Sequence, residues 1–358
     1  MGRDALRQTK EAGNVQSRRF SLESITAAAA AALESFGVPH ADAELVADSL
    51  VTADRRGIYS HGLIRLPLYA TALEAGGMNA TPALIWRRRS GATGVLDADG
   101  ALGQVAMKAA TDRVIELAHT YGIGTVAVQN STHYGAGNYW SDRLTAAGLV
   151  GIVTSTTGPT VAPYGGRSAT LGTNPLTISF PSGGAHPLTA DMATSAGAYG
   201  KVLAAKNAGE RLPDGWAIGP DGQTTNDPVS AMSGALLTFG GHKGSAVSVL
   251  LEALGAALTG AHYAFETVDI WSTPSSRMNA GHMVIAIDPE HFMGLDHTRE
   301  RVRTLQDRVR DSGSTGTLAP GDPEMAHFHA SDSSIDIAES TATELEALFV
   351  RLGVPSPA

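Results

Sequence analysis

The sequence predicts an α/β fold, in which helical N- and C-terminal parts flank a middle part rich in strands. Between residues 21 and 120, apolar residues recur at helical spacing. After Gly122 they form short β-branched runs separated by glycine and proline, which is typical of buried strands. From about residue 295 onward the helical patterns return.

Three helices are predicted in the N-terminal part. Ser21 can cap a helix through ITAAAAAALESF, which Gly37 and Pro39 end. The next helix carries an apolar stripe that should face the core, formed by Leu45, Val46, Leu50 and Val51. A third helix runs from about Gly103 to Tyr121. We therefore expect residues 21–120 to be mainly helical.

The middle part supplies the strands, and the C-terminal part supplies further helices. The runs IGTVAVQ, LVGIVTST, NPLTISF, PLTADM and HMVIAID suit strands of one sheet. One amphipathic helix, KGSAVSVLLEALGAAL, follows the glycine pair Gly240 and Gly241. The segments HTRERVRTLQDRVRDSG and TATELEALFVRLG are predicted to be helices, the first of them solvated.

Composition excludes several classes of function. The formal net charge is −9 and no basic stripe with interleaved aromatics occurs, so nucleic-acid binding is not expected. Without cysteine there is no disulfide, thiolate metal site or cysteine nucleophile. Residues 1–19 are polar and predict a flexible tail, not a secretory signal. No run approaches the roughly 20 apolar residues of a membrane helix. We expect a soluble, cytoplasmic protein with no membrane partner.

Other common functional motifs are either absent or in the wrong context. Gly122, Gly124 and Ala127 match the dinucleotide fingerprint G-x-G-x-x-A, but they follow a helix and lead into a strand, the reverse of the required order. Neither a G-x-S-x-G elbow nor an H-E-x-x-H zinc motif is present. His327 and His329 lack a third ligand at supporting spacing. No metal site is predicted.

The stretch SHGLIRLPLY, residues 60–69, carries a candidate catalytic pair. Arginine offers a planar fork for a carboxylate, and histidine titrates near neutrality. If the segment is helical, His61 and Arg65 share one face, whereas Pro67 also allows a turn that enters a helix. Taken alone, the pair could equally be a helix-capping histidine and a surface arginine.

Four further stretches, each ordinary by itself, accompany that pair. They are STHYGAGNYW (131–140), LGTNPLTISFP (171–181), DMATSAGAYGK (191–201) and FGGHKGSA (239–246). The last places His242 and Lys243 at the mouth of a helix, where free N–H groups favour an anion such as a cofactor phosphate.

In this order the motifs S-H-G-x-x-R, S-x-H-x-G, G-T-N-P, D-M-A-T-S and G-G-x-K-G resemble the type-2 malate/L-lactate dehydrogenase family of NAD(P)-dependent oxidoreductases. The likeness runs from about Phe20 to the C-terminal helix. It implies a non-Rossmann NAD(P)-binding domain with a largely antiparallel central sheet, and a homodimer. It also implies a helical substrate and dimerisation domain formed by residues 20–120 and 295–358, beside a sheet domain formed by residues 121–294.

The resemblance also implies roles for individual residues. His61 would be the acid–base residue, with Ser60 beside it, and Lys201 would stand with them in the catalytic set. Arg65 and Thr173 would bind the substrate. The cofactor would contact a larger set: His133, Tyr134, Gly135, Gly137, Asn174, Asp191, Met192, Ala193, His242, Lys243, Gly244, Pro320, Gly321 and Asp322. The last three lie in PGDPEM, which resembles a late cofactor-contacting loop.

Two substrate classes stay open. The main expectation is hydride transfer to C2 of a small 2-oxo acid, with the 2-hydroxy acid as substrate in reverse. The stretch FGGHKGSAVSVLLEALGAALTG instead resembles the subgroup that reduces the cyclic imines Δ1-piperideine-2-carboxylate and Δ1-pyrroline-2-carboxylate. Those imine reductases can carry an aspartate where this chain has Lys201. NADP(H) is expected ahead of NAD(H), and a catalytically inactive nucleotide-binding subunit is the remote alternative.

Overall fold

The structure is a computed structural model that describes residues 16–314 and 316–357. Its helices are α1 (Leu22–Glu34), α2 (His40–Arg55), α3 (Leu66–Glu74), α4 (Gly103–Tyr121), α5 (Gly137–Ala146), α6 (Tyr199–Ala208), α7 (Pro228–Ser233), α8 (Gly241–Glu252), α9 (Leu295–Arg310), α10 (Asp322–Ala330) and α11 (Glu339–Leu352). A π-helical turn, Ala253–Ala257, extends α8.

The strands are β1 (Ser17–Ser21), β2 (Ile85–Ser90), β3 (Thr93–Asp97), β4 (Ile123–Ser131), β5 (Val150–Ser155), β6 (Val161–Ala162), β7 (Leu176–Phe180), β8 (Leu188–Met192), β9 (Ala217–Ile218), β10 (Thr224–Thr225), β11 (Ala235–Leu237), β12 (Ala280–Ile287) and β13 (Ser334–Ala338). Within the described residues, no helix combines the length and apolar character that a bilayer span requires.

Seven strands of the described chain form the central sheet, in the order β2-β3-β4-β12-β5-β7-β8. β3 and β4 are parallel, and every other pair of neighbours is antiparallel. The predicted α/β fold with a largely antiparallel central sheet is therefore confirmed. A smaller sheet, β10-β9-β11-β6, stands apart from it.

Most of the predicted elements form for the predicted reasons. The Ser21 side chain caps α1 by accepting a hydrogen bond from Ser24 N. Gly122 ends α4 in the left-handed conformation at φ 81°, and the chain then enters β4. The glycines of the rejected dinucleotide fingerprint therefore do join a helix to a strand, as the sequence indicated.

Residues 85–97 were predicted to lie in a mainly helical region, and that prediction is wrong. They form the hairpin β2-β3, which turns at Gly91 with φ 53° and adds β3 beside β4. β2 lies at the sheet edge, where charged side chains are common because they discourage further pairing. Its run of arginines therefore hid the alternation that marks a strand.

The predicted flexible tail, residues 1–19, falls mostly outside the described residues. From Ser17 the chain forms β1, which pairs antiparallel with β13 from Ser17 opposite Ala338 to Ser21 opposite Ser334. Residues 17–19 therefore lie in a strand, because this pairing joins parts of the chain that are distant in sequence.

One large apolar core joins the N-terminal helices, α11 and the central sheet, so that Leu50, Val126 and Phe349 belong to the same buried cluster. A second cluster lies under the small sheet and contains Val161, Val202 and Leu236. The division into a helical domain (20–120 and 295–358) and a sheet domain (121–294) stays a prediction.

Candidate active site

The chain between α2 and α3 forms two consecutive 3₁₀ turns, Tyr59–His61 and Leu63–Arg65, here called the SHG turn (residues 59–65). Gly62 separates the two turns, and Pro67 lies in the first turn of α3. Of the two conformations that the sequence left open, the structure has the turn that enters a helix. His61 and Arg65 therefore lie on successive turns and not on one α-helical face.

A buried carboxyl group anchors the SHG turn. Leu63 N donates to Asp54 Oδ2 at 2.8 Å. A Cβ atom at position 62 would stand 1.8 Å from Asp54 Oδ1, so only glycine fits there. Burial raises the pKa of Asp54 to about 7, against the opposing effect of the Leu63 N–H. The glycine of the S-H-G motif is thus required by packing against Asp54.

His61 has one occupied and one open ring nitrogen. Its Nδ1 lies 2.9 Å from Ser60 Oγ. Among the described residues, Nε2 has no hydrogen-bond partner. Burial, followed by the nearby Arg65 charge, lowers the pKa of His61 to about 4. The imidazole is therefore neutral at physiological pH, with Nε2 available to a ligand.

Arg65 is fixed at its stem and open at its end. Its Nε donates to the Ser60 carbonyl at 2.7 Å, and the guanidinium carbon lies 4.7 Å from the centre of the Trp271 ring. Neither Nη nitrogen has a hydrogen-bond partner within the described part of the chain. Two parallel N–H donors remain available, as a carboxylate requires.

The His133 side chain lies beside His61 and Arg65. Its ring stacks on His61 at a centroid distance of 5.3 Å. Its Nδ1 lies 2.6 Å from the Tyr69 hydroxyl oxygen, which accepts from Gln104 Nε2 at 3.0 Å. Burial, then the charges of His61 and Arg65, hold the pKa of His133 well below its usual value. We call His61, Arg65, Tyr69, His133 and Trp271 the histidine cluster.

The predicted cofactor residues around Asp191 lie in a second region. Asp191 accepts from Asn138 N, in the first turn of α5, at 2.8 Å and from Thr177 Oγ1 at 2.7 Å. Burial raises the pKa of Asp191, and these two donors oppose the rise. A Cβ at Gly137 would stand 2.0 Å from Thr177 Oγ1, so close packing requires glycine there.

The neighbouring predicted residues differ in exposure. Tyr134 is buried against His282, and its hydroxyl has no hydrogen-bond partner within residues 16–314 and 316–357. Met192 is 45% exposed. Gly135 adopts φ 83°, and Ala193 is partly buried.

Asn174 and Thr173 hold a buried polar network. Asn174 adopts φ 37° and is fully buried, and its Nδ2 donates to Glu252 Oε2 at 2.6 Å. The Thr173 carbonyl accepts from Thr194 N at 2.8 Å. The Asn174 amide nitrogen is thus hydrogen-bonded to the protein, whereas Oδ1 of the same side chain is buried with no partner in the described part of the chain.

The start of α8 has the exposure that a phosphate site needs. Gly240 and Gly241 both adopt positive φ, and His242 and Lys243 are exposed in the first turn. A Cβ at Gly244 would stand 1.7 Å from the Phe239 carbonyl oxygen, so the turn closes tightly on itself. These three motif residues lie together at a helix N-terminus, as predicted.

Lys201 lies on α6, whose first turn approaches the SHG turn. A Cβ built on Gly200 would be 3.8 Å from Ser60 Cβ. The Lys201 side chain is exposed. The structure therefore brings the backbone beside Lys201 to the SHG turn.

The PGDPEM segment is the start of a helix and not a loop, since α10 begins at Asp322 with Gly321 as its N-cap at φ 94°. Pro320 is exposed, and the Asp322 carboxylate is engaged by Arg310 at 2.7 Å and His186 at 2.9 Å. Gly321 lines a small pocket together with Asp191 and Asn138. Two distant predicted cofactor segments thus meet.

Several residues of the candidate site were not identified in the sequence analysis. Tyr69 lies within the quoted SHGLIRLPLY stretch, so its spacing from Arg65 on α3 was a usable signal. Gln104, Asp54 and Trp271 gave none, because their contacts depend on long-range packing. Among the described residues no group of three or more potential metal ligands occurs, so His327 and His329 remain without a site.

Comparison with known proteins decides the family. A family model described as malate/L-lactate dehydrogenase matches residues 20–346. The chain belongs to the malate/L-lactate dehydrogenase family. Accordingly, this family member is an NAD(P)-dependent oxidoreductase.

Two named dehydrogenases align with nearly the whole chain. The chain is 36% identical over 325 residues to L-sulfolactate dehydrogenase of Methanocaldococcus jannaschii, covering 90% of this chain and 94% of the relative. It is 34% identical to the NADP⁺-dependent (2R)-3-sulfolactate dehydrogenase of Chromohalobacter salexigens over 334 residues, 93% of this chain and 99% of the relative.

Solved structures agree with the fold. Sulfolactate dehydrogenase from M. jannaschii superposes with a TM-score of 0.89 at 35% identity, covering 94% of this chain and 98% of the other. Δ1-Piperideine-2-carboxylate reductase from Pseudomonas syringae pv. tomato gives 0.85 at 30% identity, covering 92% and 99%. Fold likeness therefore extends to both substrate classes.

Proposed function

We propose that this family member transfers a hydride between a nicotinamide cofactor and C2 of a small 2-oxo acid or its 2-hydroxy acid. One observation carries the proposal: His61 Nε2 and both Nη nitrogens of Arg65 lack partners among the described residues, on two consecutive turns of one segment. The Arg65 guanidinium, whose Nη nitrogens can bind a carboxylate, thus lies close enough to His61 for its positive charge to lower the His61 pKa.

His61 handles the proton. When a 2-hydroxy acid is oxidised, the hydroxyl proton must leave, and neutral His61 Nε2 can accept it. In the reducing direction a protonated His61 supplies that proton to the carbonyl oxygen, a role typically worth about 10²–10⁴-fold in rate. Arg65 fixes the carboxylate and so determines which face of C2 is presented for reaction. A bound carboxylate would also offset the Arg65 charge and raise the His61 pKa.

His133 is a second candidate for contact with the reacting groups. The Tyr69 oxygen accepts a hydrogen bond from Gln104 Nε2, so the Tyr69 hydroxyl can donate its own hydrogen bond to His133 Nδ1. That arrangement leaves the ring proton of neutral His133 on Nε2, which has no partner within the described chain. We infer that His133 borders the substrate as well as the cofactor.

The residues present fit a dinucleotide. Lys243 and the free N–H groups at the start of α8 suit the cofactor phosphates. At the pocket lined by Asp191 and Gly321, the buried Asn138 Oδ1 has no hydrogen-bond partner among the described residues and can receive a ligand N–H or O–H group. When bound, the nicotinamide supplies or accepts the hydride. We propose NADP(H) ahead of NAD(H), as in the C. salexigens relative.

A second candidate function is reduction of cyclic 2-imino acids. The observation that favours it is the likeness to Δ1-piperideine-2-carboxylate reductase over 92% of this chain. Against it, the charged neighbour that shifts the His61 pKa is Arg65, whose positive charge also disfavours a cationic iminium group.

The experiment compares NADPH oxidation with pyruvate, oxaloacetate, 3-sulfopyruvate and Δ1-piperideine-2-carboxylate under one set of conditions. Fast turnover of a keto acid supports the main proposal. Turnover of the imine at least about a hundredfold above every keto acid, a difference of about 2.7 kcal/mol in barrier, would establish the alternative. Cofactor binding without turnover of any acid would identify a catalytically inactive subunit.

We also propose that the enzyme is a homodimer that pairs through α8. Along α8 and the turn after it, five aliphatic side chains are exposed: Val247, Val249, Leu250, Leu254 and Leu258. Their helix carries only Lys243 and Glu252 as charged residues, and Glu252 is buried. A helix that is apolar on its outer face normally packs against a partner.

A second copy is the occupant we favour, because residues 1–15 are too polar to cover this surface. The surface lies in the predicted sheet domain, although the sequence placed dimerisation in the helical one. Light scattering should give a dimer for the wild type and a monomer for Leu250→Asp/Leu258→Asp, with Val350→Asp as the matched exposed control. A wild-type monomer would contradict the proposal. The predicted cytoplasmic location remains a prediction.

A further inference from the structure

Trp271 is the member of the histidine cluster to which the proposed function gives no role. Its indole lies under the Arg65 guanidinium at 4.7 Å. It meets the His133 ring edge-on at 5.3 Å and stacks on Tyr69 at 6.3 Å with an interplanar angle of 16°. Trp271, from a distant segment of the chain, thus contacts three side chains of the candidate site.

The turn that carries Trp271 is well anchored. Asp269 Oδ1 accepts from Trp271 N at 3.0 Å, from Ser272 N at 2.8 Å and from Ser272 Oγ at 3.0 Å. Farther along, the Pro274 carbonyl oxygen would stand 2.0 Å from a Cβ at Gly77, so the segment packs closely on the chain after α3. The indole is therefore held against α3 by its own backbone.

This placement determines how Arg65 can bind a ligand. Tryptophan is the best aromatic partner for a cation, and the ring covers a face of the guanidinium. With Nε already donated to the Ser60 carbonyl, the Nη edge is what remains for a carboxylate. The indole is large, lies within 4.7 Å of the guanidinium carbon and is stacked on Tyr69.

We propose that Trp271 is a positioning and specificity-determining residue, which fixes the Arg65 guanidinium beside His61 and closes the substrate site against bulky side groups. The proposal rests on the proposed function of Arg65 as the carboxylate-binding residue. Small 2-oxo acids are the substrate class that fits a site closed by Trp271 in this way.

The kinetic test uses Trp271→Ala, Trp271→Phe and the control Trp86→Phe, which alters a tryptophan on β2. We expect Trp271→Ala to raise KM for pyruvate about tenfold or more, with a smaller effect on kcat, since a partly desolvated cation–π contact is lost. Preference for 2-oxo-4-methylpentanoate over pyruvate should rise in kcat/KM. For Trp271→Phe, the KM and the preference should lie between those of the wild type and those of Trp271→Ala. For Trp86→Phe, both should match the wild type.

A binding test needs no turnover. Oxalate is titrated without cofactor while tryptophan fluorescence is recorded. A carboxylate at Arg65 should change the emission of wild type and of Trp86→Phe, and the change should disappear in Trp271→Phe. If the change persists in Trp271→Phe, or is absent from the wild type, Trp271 does not border the carboxylate site and the proposal is overturned.

The two proposals fail in different ways. If the wild type reduces neither keto acid nor imine, the proposed function falls, and the oxalate titration still tests the position of Trp271. If the wild type is active but Trp271→Ala keeps both the KM and the side-group preference, the Trp271 proposal falls alone. Should Trp271→Ala fail to fold, Trp271→Phe and the fluorescence titration decide.

Discussion

His61 is partly buried and His282 is fully buried, and burial lowers the pKa of the two side chains to about 4 and about 3. Their hydrogen bonds differ. His282 has Ser155 Oγ at its Nδ1 and Ser131 Oγ at its Nε2, each at 2.8 Å. His61 has Ser60 at Nδ1 and no recorded partner for Nε2 among the described residues.

The surrounding backbone differs in the same way. His282 lies on β12, the strand between β4 and β5 in the central sheet, whereas His61 lies in a 3₁₀ turn held by Asp54. A lowered pKa therefore reports burial in both places, and an unused hydrogen-bonding nitrogen distinguishes the histidine that can act on a ligand.

The largest effect is expected for His61→Ala. Removing the proton acceptor should lower kcat by about 10²–10⁴-fold, while the dissociation constant for NADPH changes little. Steady-state kinetics and cofactor titration measure the two quantities. Wild-type turnover in this variant would exclude His61 from the proton step and direct attention to His133.

His282→Ala should lower the stability of the enzyme and leave its turnover nearly unchanged. It removes one hydrogen bond from each of two buried serine hydroxyls and opens a cavity, so we expect a loss of about 2–4 kcal/mol in the free energy of unfolding. Chemical denaturation measures it, and the kcat of the folded enzyme should stay close to wild type. A large drop in kcat without a loss of stability would contradict the distinction.

Arg65→Lys should have an intermediate effect. A point charge cannot reproduce the paired N–H groups, so KM for the acid should rise about 10–100-fold, as expected for loss of one charge-assisted hydrogen bond. A KM equal to that of the wild type would mean that the carboxylate is held elsewhere.

The smallest change is expected between pH 8 and pH 5. Neutral His61 is the proton acceptor in hydroxy-acid oxidation, and its pKa is about 4 in the free enzyme. The oxidative kcat/KM should therefore stay level as the pH falls to about 5, and decline below about 4 as His61 becomes protonated. An inflection near 6.5 would show that His61 keeps its ordinary pKa in the working enzyme.

Sequence patterns were sufficient where the physical cause is local. Ser21, Gly122 and the Gly240–Gly241 pair end or begin helices through their own conformational preferences. The strands around Val126 and Val284 follow from β-branched runs. Motif order was also enough to assign the family, because five short motifs in one order rarely coincide.

Other features could not be predicted because their causes are distant in sequence. The hairpin β2-β3 forms beside β4, and its polar edge strand masks the pattern. The hydrogen bond from the Asn174 amide nitrogen to Glu252, 78 residues away, gave no sequence signal. The same holds for the ion pairs of the Asp322 carboxylate with Arg310 and His186. The cofactor contacts of Asn174 and Asp322 stay predictions.

By itself, the sequence determined the α/β class, most helix ends and the identity of His61 and Arg65 as a candidate pair. Only the tertiary structure decided that Trp271, Tyr69 and His133 surround that pair, and that His61 keeps an open nitrogen while His282 does not. The physical reason is that helix caps and strand patterns depend on neighbouring residues. Desolvation and hydrogen-bond satisfaction depend instead on which distant segments pack against a side chain.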